Sequence, residues 1–296
     1  MTGEKNVEPG VRLLERLRAD VEAIGSMVRR VVDLPWSGRS YAVVMPADID
    51  PLLDRVVDDS EQNLPYWAEL WPSGVALADR IERNPEALYG RRVIELGCGL
   101  GVTAVAALRA GADLVAADYA AEALALCRLN THVNSGLLPE TVSMNWRAGK
   151  AALPAGWDGG FDVVLAADVL YERRDVAPLT DLMWKLLVPG GRVWLAEPAR
   201  AVAADFLAST RGLGWQWQTE HHPGPWPDAA DHGVSVGIHQ ALPGPYRNTK
   251  NQSPTRRRMT TRTTTPRASG DSSRCDADGS GYSATSEMNV ESRYSA

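Results

Sequence analysis

The chain has 296 residues, 44% of them hydrophobic and 23% charged, which is the composition of a globular protein. Nine of its 31 Lys/Arg and five of its 37 Asp/Glu fall from Pro243 onward, leaving 22 basic and 32 acidic residues before it, so a body near −10 carries a tail near +4. An acidic body is a poor partner for phosphate backbones, which argues against nucleic-acid binding by the core.

No apolar run reaches the roughly 18 residues of a membrane span, and the N-terminus does not read as a signal peptide. Cys98, Cys127 and Cys275 are too scattered for a disulfide framework or a thiolate zinc site, so a reducing cytoplasm is expected. Residues 247–296 hold no Leu, Ile or Phe and one Val, Val290. Such a stretch buries too little apolar surface to offset chain entropy, and it reads as a disordered tail.

In chain order, apolar residues at 13, 14, 17, 21, 24, 28, 31 and 32 predict one face of an amphipathic helix. Arg39–Pro46 reads as a short strand. The stretch P-Y-W-A-E-L-W-P-S-G from Pro65 then runs into a helix whose first turn suits Pro72 and Ser73. From Arg91 strands and helices alternate: R-R-V-I-E-L-G, then the helix from Gly101; D-L-V-A-A-D, then A-E-A-L-A-L-C-R-L-N. Next come T-V-S-M-N-W, F-D-V-V-L-A-A-D, a helix from Asp175 ending at Gly190–Gly191, R-V-W-L-A-E and a helix from Ala201. This alternation predicts a doubly wound α/β sheet. The last two runs, W-Q-W-Q-T-E and V-S-V-G-I-H-Q-A-L, have no helix between them, which predicts an antiparallel hairpin at one sheet edge.

The strongest local signal is V-I-E-L-G-C-G-L-G-V, residues 93–102. Gly97, Gly99 and Gly101 directly after a strand allow a ligand close to the backbone at the carboxyl end of the sheet. A dinucleotide site would place glycine or alanine where Val102 stands. Glu95 would repel a phosphate and suits an amine, so the ligand expected is cationic or zwitterionic. Asp118, ending the next strand, is the acid expected to take ribose hydroxyls; an ordinary helix N-cap is its alternative.

These residues resemble motif I and its partner acid in the class I, seven-strand methyltransferases that use S-adenosylmethionine, over roughly residues 62–242. More narrowly, P-Y-W-A-E-L-W-P-S-G, V-I-E-L-G-C-G-L-G, M-N-W and A-A-D-V-L-Y-E, in this order, resemble the seven-strand protein-lysine methyltransferases. The branch acting on the electron-transfer flavoprotein β subunit, with bacterial nicotinamide-methyltransferase-like members, is the nearest in pattern, through P-Y-W-A-x-x-W-P-S-G and the late E-P-A-R. The resemblance implies a Rossmann-like sheet of seven strands with an antiparallel last strand and S-adenosyl-L-methionine as cofactor. It places Trp71, Trp146, Tyr119 and Ala166 beside that cofactor together with Glu95, the three glycines and Asp118. Tyr66 and Trp67 would wall the site, core packing being the alternative for each Trp. Where the family often has an acid before the adenine-side Trp, this chain has Asn145.

By the same resemblance Asp168 orients the incoming amine and Tyr171 walls its channel. The loop lacks the Pro-Pro of the Asn/Asp-Pro-Pro-Tyr signature found in enzymes that methylate base amino groups or glutamine amides. The resemblance implies a protein lysine as the first substrate expected, with a small amine or pyridine second and a non-catalytic scaffold third; no metal is expected. Glu69, Glu172 and Glu197 are candidate acidic rim residues, and the loop from His221 to His232 is a candidate lid. The domain division expected is 1–61 as a helix and strand extension, 62–242 as the catalytic domain and 243–296 as the tail. Oligomeric state is open.

Overall fold

The computed structural model describes residues 9–56, 64–148, Trp157 and 160–244. The tail expected to be disordered lies outside the described residues from position 245, as does Cys275; the 61/62 boundary also falls outside them.

Seven strands form one sheet: β3 (Arg92–Leu96), β4 (Asp113–Asp118), β5 (Glu140–Ser143), β6 (Phe161–Ala167), β7 (Leu187–Glu197), β8 (Gln216–His222) and β9 (Val236–Leu242). Their spatial order is β5-β4-β3-β6-β7-β9-β8, with β9 antiparallel to both neighbours and the pairs from β5 to β7 parallel. The predicted doubly wound sheet with an antiparallel last strand is what the chain adopts. β3 and β6 are mostly apolar because both faces are covered, with Arg92, Glu95 and Asp162 as the charged exceptions. On one face Val93, Val163, Leu165 and Trp194 join a core with α3 (Pro72–Arg83), α4 (Val102–Arg109) and α5 (Ala121–Ser135). On the other, Ile94, Leu96, Val115 and Val164 pack with α6 (Val176–Leu186) and α7 (Ala201–Gly212). The strand order reverses between β4 and β6 at β3, which is where such sheets open a crevice at their carboxyl ends.

The N-terminal region departs from its expectation. The helix α1 (Pro9–Glu22) stops ten residues short of Val32, and Met27–Leu34 forms a strand, β1, antiparallel to β2 (Arg39–Pro46). Val31, placed by helical spacing on the packed face, is 70% exposed, while Val32 and Leu34 are buried. The β-branched run V-R-R-V-V takes a period of two once a partner strand is available, and tertiary pairing overrides the three-and-four spacing. A short helix, α2 (Asp50–Val56), follows. The outer edge of β2 is closed by two side chains of α5. Asn130 accepts from the Val44 N–H at 2.7 Å and donates to its carbonyl at 2.9 Å; Asn134 does the same for Ala42 at 2.8 and 3.0 Å. Four residues of helix rise about 6 Å and two of strand about 6.6 Å, so amides one turn apart match alternate strand residues.

The helix α6 ends at Leu186, not at the glycines. Leu187–Gly191 opens β7 instead, with a register shift opposite Phe161–Val163.

Candidate active site

The loops after β3, β4 and β6 and the turn before α3 surround an open cleft of about 690 Å³ counted out to its mouth. Among its lining residues are Tyr66, Trp67, Trp71, Glu95, Gly97, Gly99, Asp118, Tyr119, Trp146, Asp168 and Tyr171. Of the expected site residues, Gly101 and Ala166 are the two that do not line it.

The β3–α4 turn sets the floor. Gly97 has φ 71°, and a Cβ there would stand 2.9 Å from Val169 and 3.9 Å from the Trp146 ring. Only glycine leaves that space open to a ligand. Gly101 has a packing role: with φ 78°, its absent Cβ would lie 2.8 Å from the Cys127 Cα of α5. Ala166 points into the core between sheet and α6, and its neighbour Ala167, one residue along the period of two, lines the cleft.

Two acids stand at the floor. Glu95 is 2% exposed and its Oε2 has no hydrogen-bond partner among the described residues. Burial, and then the nearby Asp118 charge, push its carboxyl well above the ordinary range, with Thr103 opposing. Asp118 accepts from the Gly99 N–H at 3.0 Å through one oxygen and from the Ala120 N–H at 3.1 Å through the other. Burial raises it to about 6 against those backbone donors. Its carboxylate thus joins the two ligand-facing turns, and it is not the N-cap of α5, a position held by Ala120.

Aromatic rings form the walls. Trp146 is held by its indole N–H donating to Asp175 Oδ1 at 2.9 Å, and Asp175 also takes Arg147 through both oxygens at 2.6 and 2.9 Å. Asn145, the departure from the family pattern, accepts from the Arg147 N–H at 2.9 Å and so shapes this turn. Opposite, Tyr66 packs edge-on against Trp71 at 5.9 Å and against Tyr171 at 5.2 Å between ring centroids. Burial pushes the hydroxyls of Tyr66 and Tyr171 up, so both stay neutral donors. Tyr119 lines the cleft while its hydroxyl donates to the Leu64 carbonyl at 3.1 Å.

Asp168 has a left-handed backbone, φ 59°. It accepts from Ser73 Oγ at 2.9 Å and pairs with Arg200, both side chains being almost fully buried. Burial raises its carboxyl, with Arg200 and Ser73 pulling the other way. Arg200 and Ser73 were missed as site residues. The E-P-A-R stretch was visible, but nothing local shows that its arginine crosses 32 residues to an acid.

The rim expectation holds for position in one case: Glu69 lines the cleft. Glu172 pairs with Arg147 and Arg174. Glu197 is not a rim residue; it is buried, accepting from the Arg200 N–H at 3.0 Å and bonded to His239 at 2.9 Å. The His221–His232 loop is not a lid either. None of its residues lines the cleft; Trp226 is buried with its N–H on Val234, and His222 lies 4.5 Å from Trp36 at the tip of the β1–β2 hairpin. Its proline-rich segment buries one large ring and so packs against the N-terminal extension. Among the described residues no three or more His, Cys, Asp or Glu are grouped to hold a metal. No helix among them is long and apolar enough to cross a membrane.

Residues 57–209 match the family model described as lysine methyltransferase, more than half of the chain. The chain belongs to the lysine methyltransferase family. It is 33% identical over 147 residues to the electron transfer flavoprotein beta subunit lysine methyltransferase of Danio rerio, covering 48% of this chain and 53% of that protein. To EEF1A lysine methyltransferase 3 of Mus musculus it is 29% identical over 136 residues, 45% of this chain and 56% of that one. A ubiquinone biosynthesis O-methyltransferase of Pectobacterium carotovorum is 32% identical over 128 residues, 43% and 52% of the two chains. The chain thus spans about half the length of the curated relatives it matches.

Proposed function

We propose that this member of the lysine methyltransferase family binds S-adenosylmethionine in the cleft and methylates a lysine side chain of a protein. The observation that carries the reading is the buried Glu95 oxygen left without a partner beside Asp118, on a floor that any Cβ at position 97 would fill. A buried, unsatisfied carboxylate is costly, and a ligand ammonium restores what burial removed. Glu95 would hold the amino group of the cofactor, Asp118 its ribose hydroxyls and Trp146 a flat face of its base; Trp71 would lie against it from the other wall, where a cation gains a modest attraction to an aromatic face. When bound, that cofactor supplies a methyl group on a sulfonium, whose S–C bonding pair stays with sulfur as the acceptor nitrogen takes the methyl.

The acceptor must arrive as a free base, because only a neutral amine has a lone pair. For a lysine this costs roughly 4 to 5 kcal/mol at pH 7, which desolvation between Tyr66, Trp71 and Tyr171 lowers. Asp168 would orient the amine by accepting one of its N–H groups, and most of the remaining effect is positional. The two buried free thiols, Cys98 and Cys127, fit a reducing compartment such as the cytoplasm.

Calorimetry with S-adenosylmethionine tests the cofactor: micromolar binding by the wild type and a weakening of about 10- to 100-fold in Glu95→Gln are expected, as for loss of a hydrogen bond to a charged group. No binding by the wild type sinks the reading and makes this a scaffold. Labelled cofactor with the recombinant electron transfer flavoprotein β subunit and, separately, nicotinamide then sorts the acceptors. Label on lysine supports the proposal; label on nicotinamide alone replaces it with small-molecule methylation.

A further inference from the structure

Among the described residues only two non-glycine positions have positive φ, Asp168 at 59° and Ala199 at 62°. They lie on the turns that end the neighbouring strands β6 and β7, and Ala199 immediately precedes Arg200. One buried ion pair joins the two turns: Arg200 Nη1 bonds Asp168 Oδ1, with the side chains 4% and 6% exposed. Left-handed backbone is disfavoured wherever a Cβ is present and persists where the surroundings over-determine it, most often at functional sites.

The surroundings here do so from several elements. The Asp168 N–H donates to the Ala196 carbonyl at 2.9 Å, and its second carboxylate oxygen takes the Ser73 hydroxyl of α3 at 2.9 Å. The Arg200 N–H donates to Glu197 at 3.0 Å; Glu197 in turn is bonded to His239 of β9 at 2.9 Å, whose other ring nitrogen reaches Thr219 of β8 at 2.8 Å. The guanidinium also lies over Trp71, 5.8 Å from the ring centroid. A hydrogen-bonded chain, passing through the Arg200 backbone N–H, therefore runs from the edge of the sheet to the cleft and ends on Asp168.

We propose that Arg200 is a positioning residue of the acceptor site: it fixes the Asp168 carboxylate so that its remaining acceptor capacity faces the cleft, while the pair as a whole stays neutral. The inference rests on the acceptor role proposed above for Asp168. A carboxylate has about four lone-pair directions, and Ser73 and Arg200 occupy two. A lone carboxylate would hold an incoming ammonium as an ion pair and stabilise the charged form that cannot react. Paired with Arg200, the same group still accepts a hydrogen bond from an amine yet attracts the ammonium less, which favours the free base. The charged and titratable groups facing Asp168 are Arg200 and Glu197 from the β7–α7 turn. His239 stands behind Glu197, Glu95 and Asp118 lie across the cleft, and Tyr66 and Tyr171 complete its wall.

The test uses the full chain with Arg200→Gln and Arg200→Lys. Carboxyl carbon resonances of ¹³C-aspartate-labelled protein, with Asp168 identified by its loss in Asp168→Asn, give the Asp168 titration midpoint without any substrate. Arg200→Gln should raise that midpoint by about one unit or more, and Arg200→Lys should restore part of the shift. With S-adenosylmethionine and the flavoprotein β subunit, Arg200→Gln should lower kcat about 10-fold or more and move the acid limb of the rate profile to higher pH. An unmoved midpoint overturns the proposal, and so does a rate lowered by the same factor at every pH. Failure of the wild type to bind S-adenosylmethionine would instead remove the cofactor reading, while the titration would still decide whether Arg200 controls Asp168.

Discussion

The two halves of the cleft are built in different ways. On the floor, beneath β3 and β4, the decisive contacts are made by backbone: glycines with positive φ, and the Gly99 and Ala120 amides on Asp118. On the acceptor side, above β6 and β7, they are side-chain pairs between distant positions, Ser73 to Asp168 across 95 residues and Glu197 to His239 across 42. A backbone requirement usually leaves its mark in residue type, because glycine meets it at the least steric cost, Asp168 and Ala199 being the exceptions here. A side-chain pair leaves none, since either partner alone has many ordinary uses.

The largest expected effect would break the acceptor half. Removing one member of a buried ion pair strands the other, so Asp168→Ala and Arg200→Ala should each cost about 3 to 5 kcal/mol in urea unfolding. The double replacement Asp168→Ala/Arg200→Ala should cost less than the sum of the two, since no charge is left alone. Strict additivity would mean that the pair is not coupled.

A smaller loss is expected on the floor. Gly101→Ala combines a left-handed backbone with a Cβ 2.8 Å from Cys127, at about 2 to 4 kcal/mol. Gly136→Ala, with φ 72° and nothing within 4 Å, isolates the conformational part at about 1 kcal/mol. Equal losses in thermal unfolding would remove the packing role given to Gly101.

The smallest effect is a pH dependence that sharpens the contrast. Asp118, raised to about 6 in the fold, accepts through both oxygens and carries charge only when ionised, so affinity for S-adenosylmethionine should weaken as pH falls from 7 toward 5. The stability term has the opposite sign. An acid whose folded pKa is raised stabilises the fold below its ordinary value near 3.9 and loses that contribution as pH rises through about 6. Calorimetry of cofactor binding at pH 5, 6 and 7 checks this, with Asp118→Asn expected to remove part of the response, the rest belonging to Glu95, whose carboxyl burial also raises. A flat wild-type profile would take Asp118 out of the binding site.

Much of the sheet was legible in the sequence. From Arg92 on, apolar β-branched runs alternate with helical spacing, and the missing helix before the last strand showed as a short loop. The floor was equally legible, through Glu95, Gly97, Gly99 and Asp118. The errors came where one pattern fits two structures. Val28, Val31 and Val32 suit a helix face until β2 offers a partner. Leu187–Gly191 looks like a helix end until β6 pairs with it. The His221–His232 loop looks like a lid until Trp226 is seen buried beside the N-terminal hairpin.

By itself, then, the sequence determined what depends on local chemistry: the order of strands and helices from Arg92 on, the glycine turn, and the two acids beside it. Tertiary structure alone decided that Gly101 packs while Gly97 opens space, that Ala167 and not Ala166 faces the cleft, and that Asp168 is joined to Arg200. The physical reason is range. Backbone conformation and periodicity act within a turn or a strand, whereas burial and ion pairing depend on which distant residues the fold brings within a few ångströms.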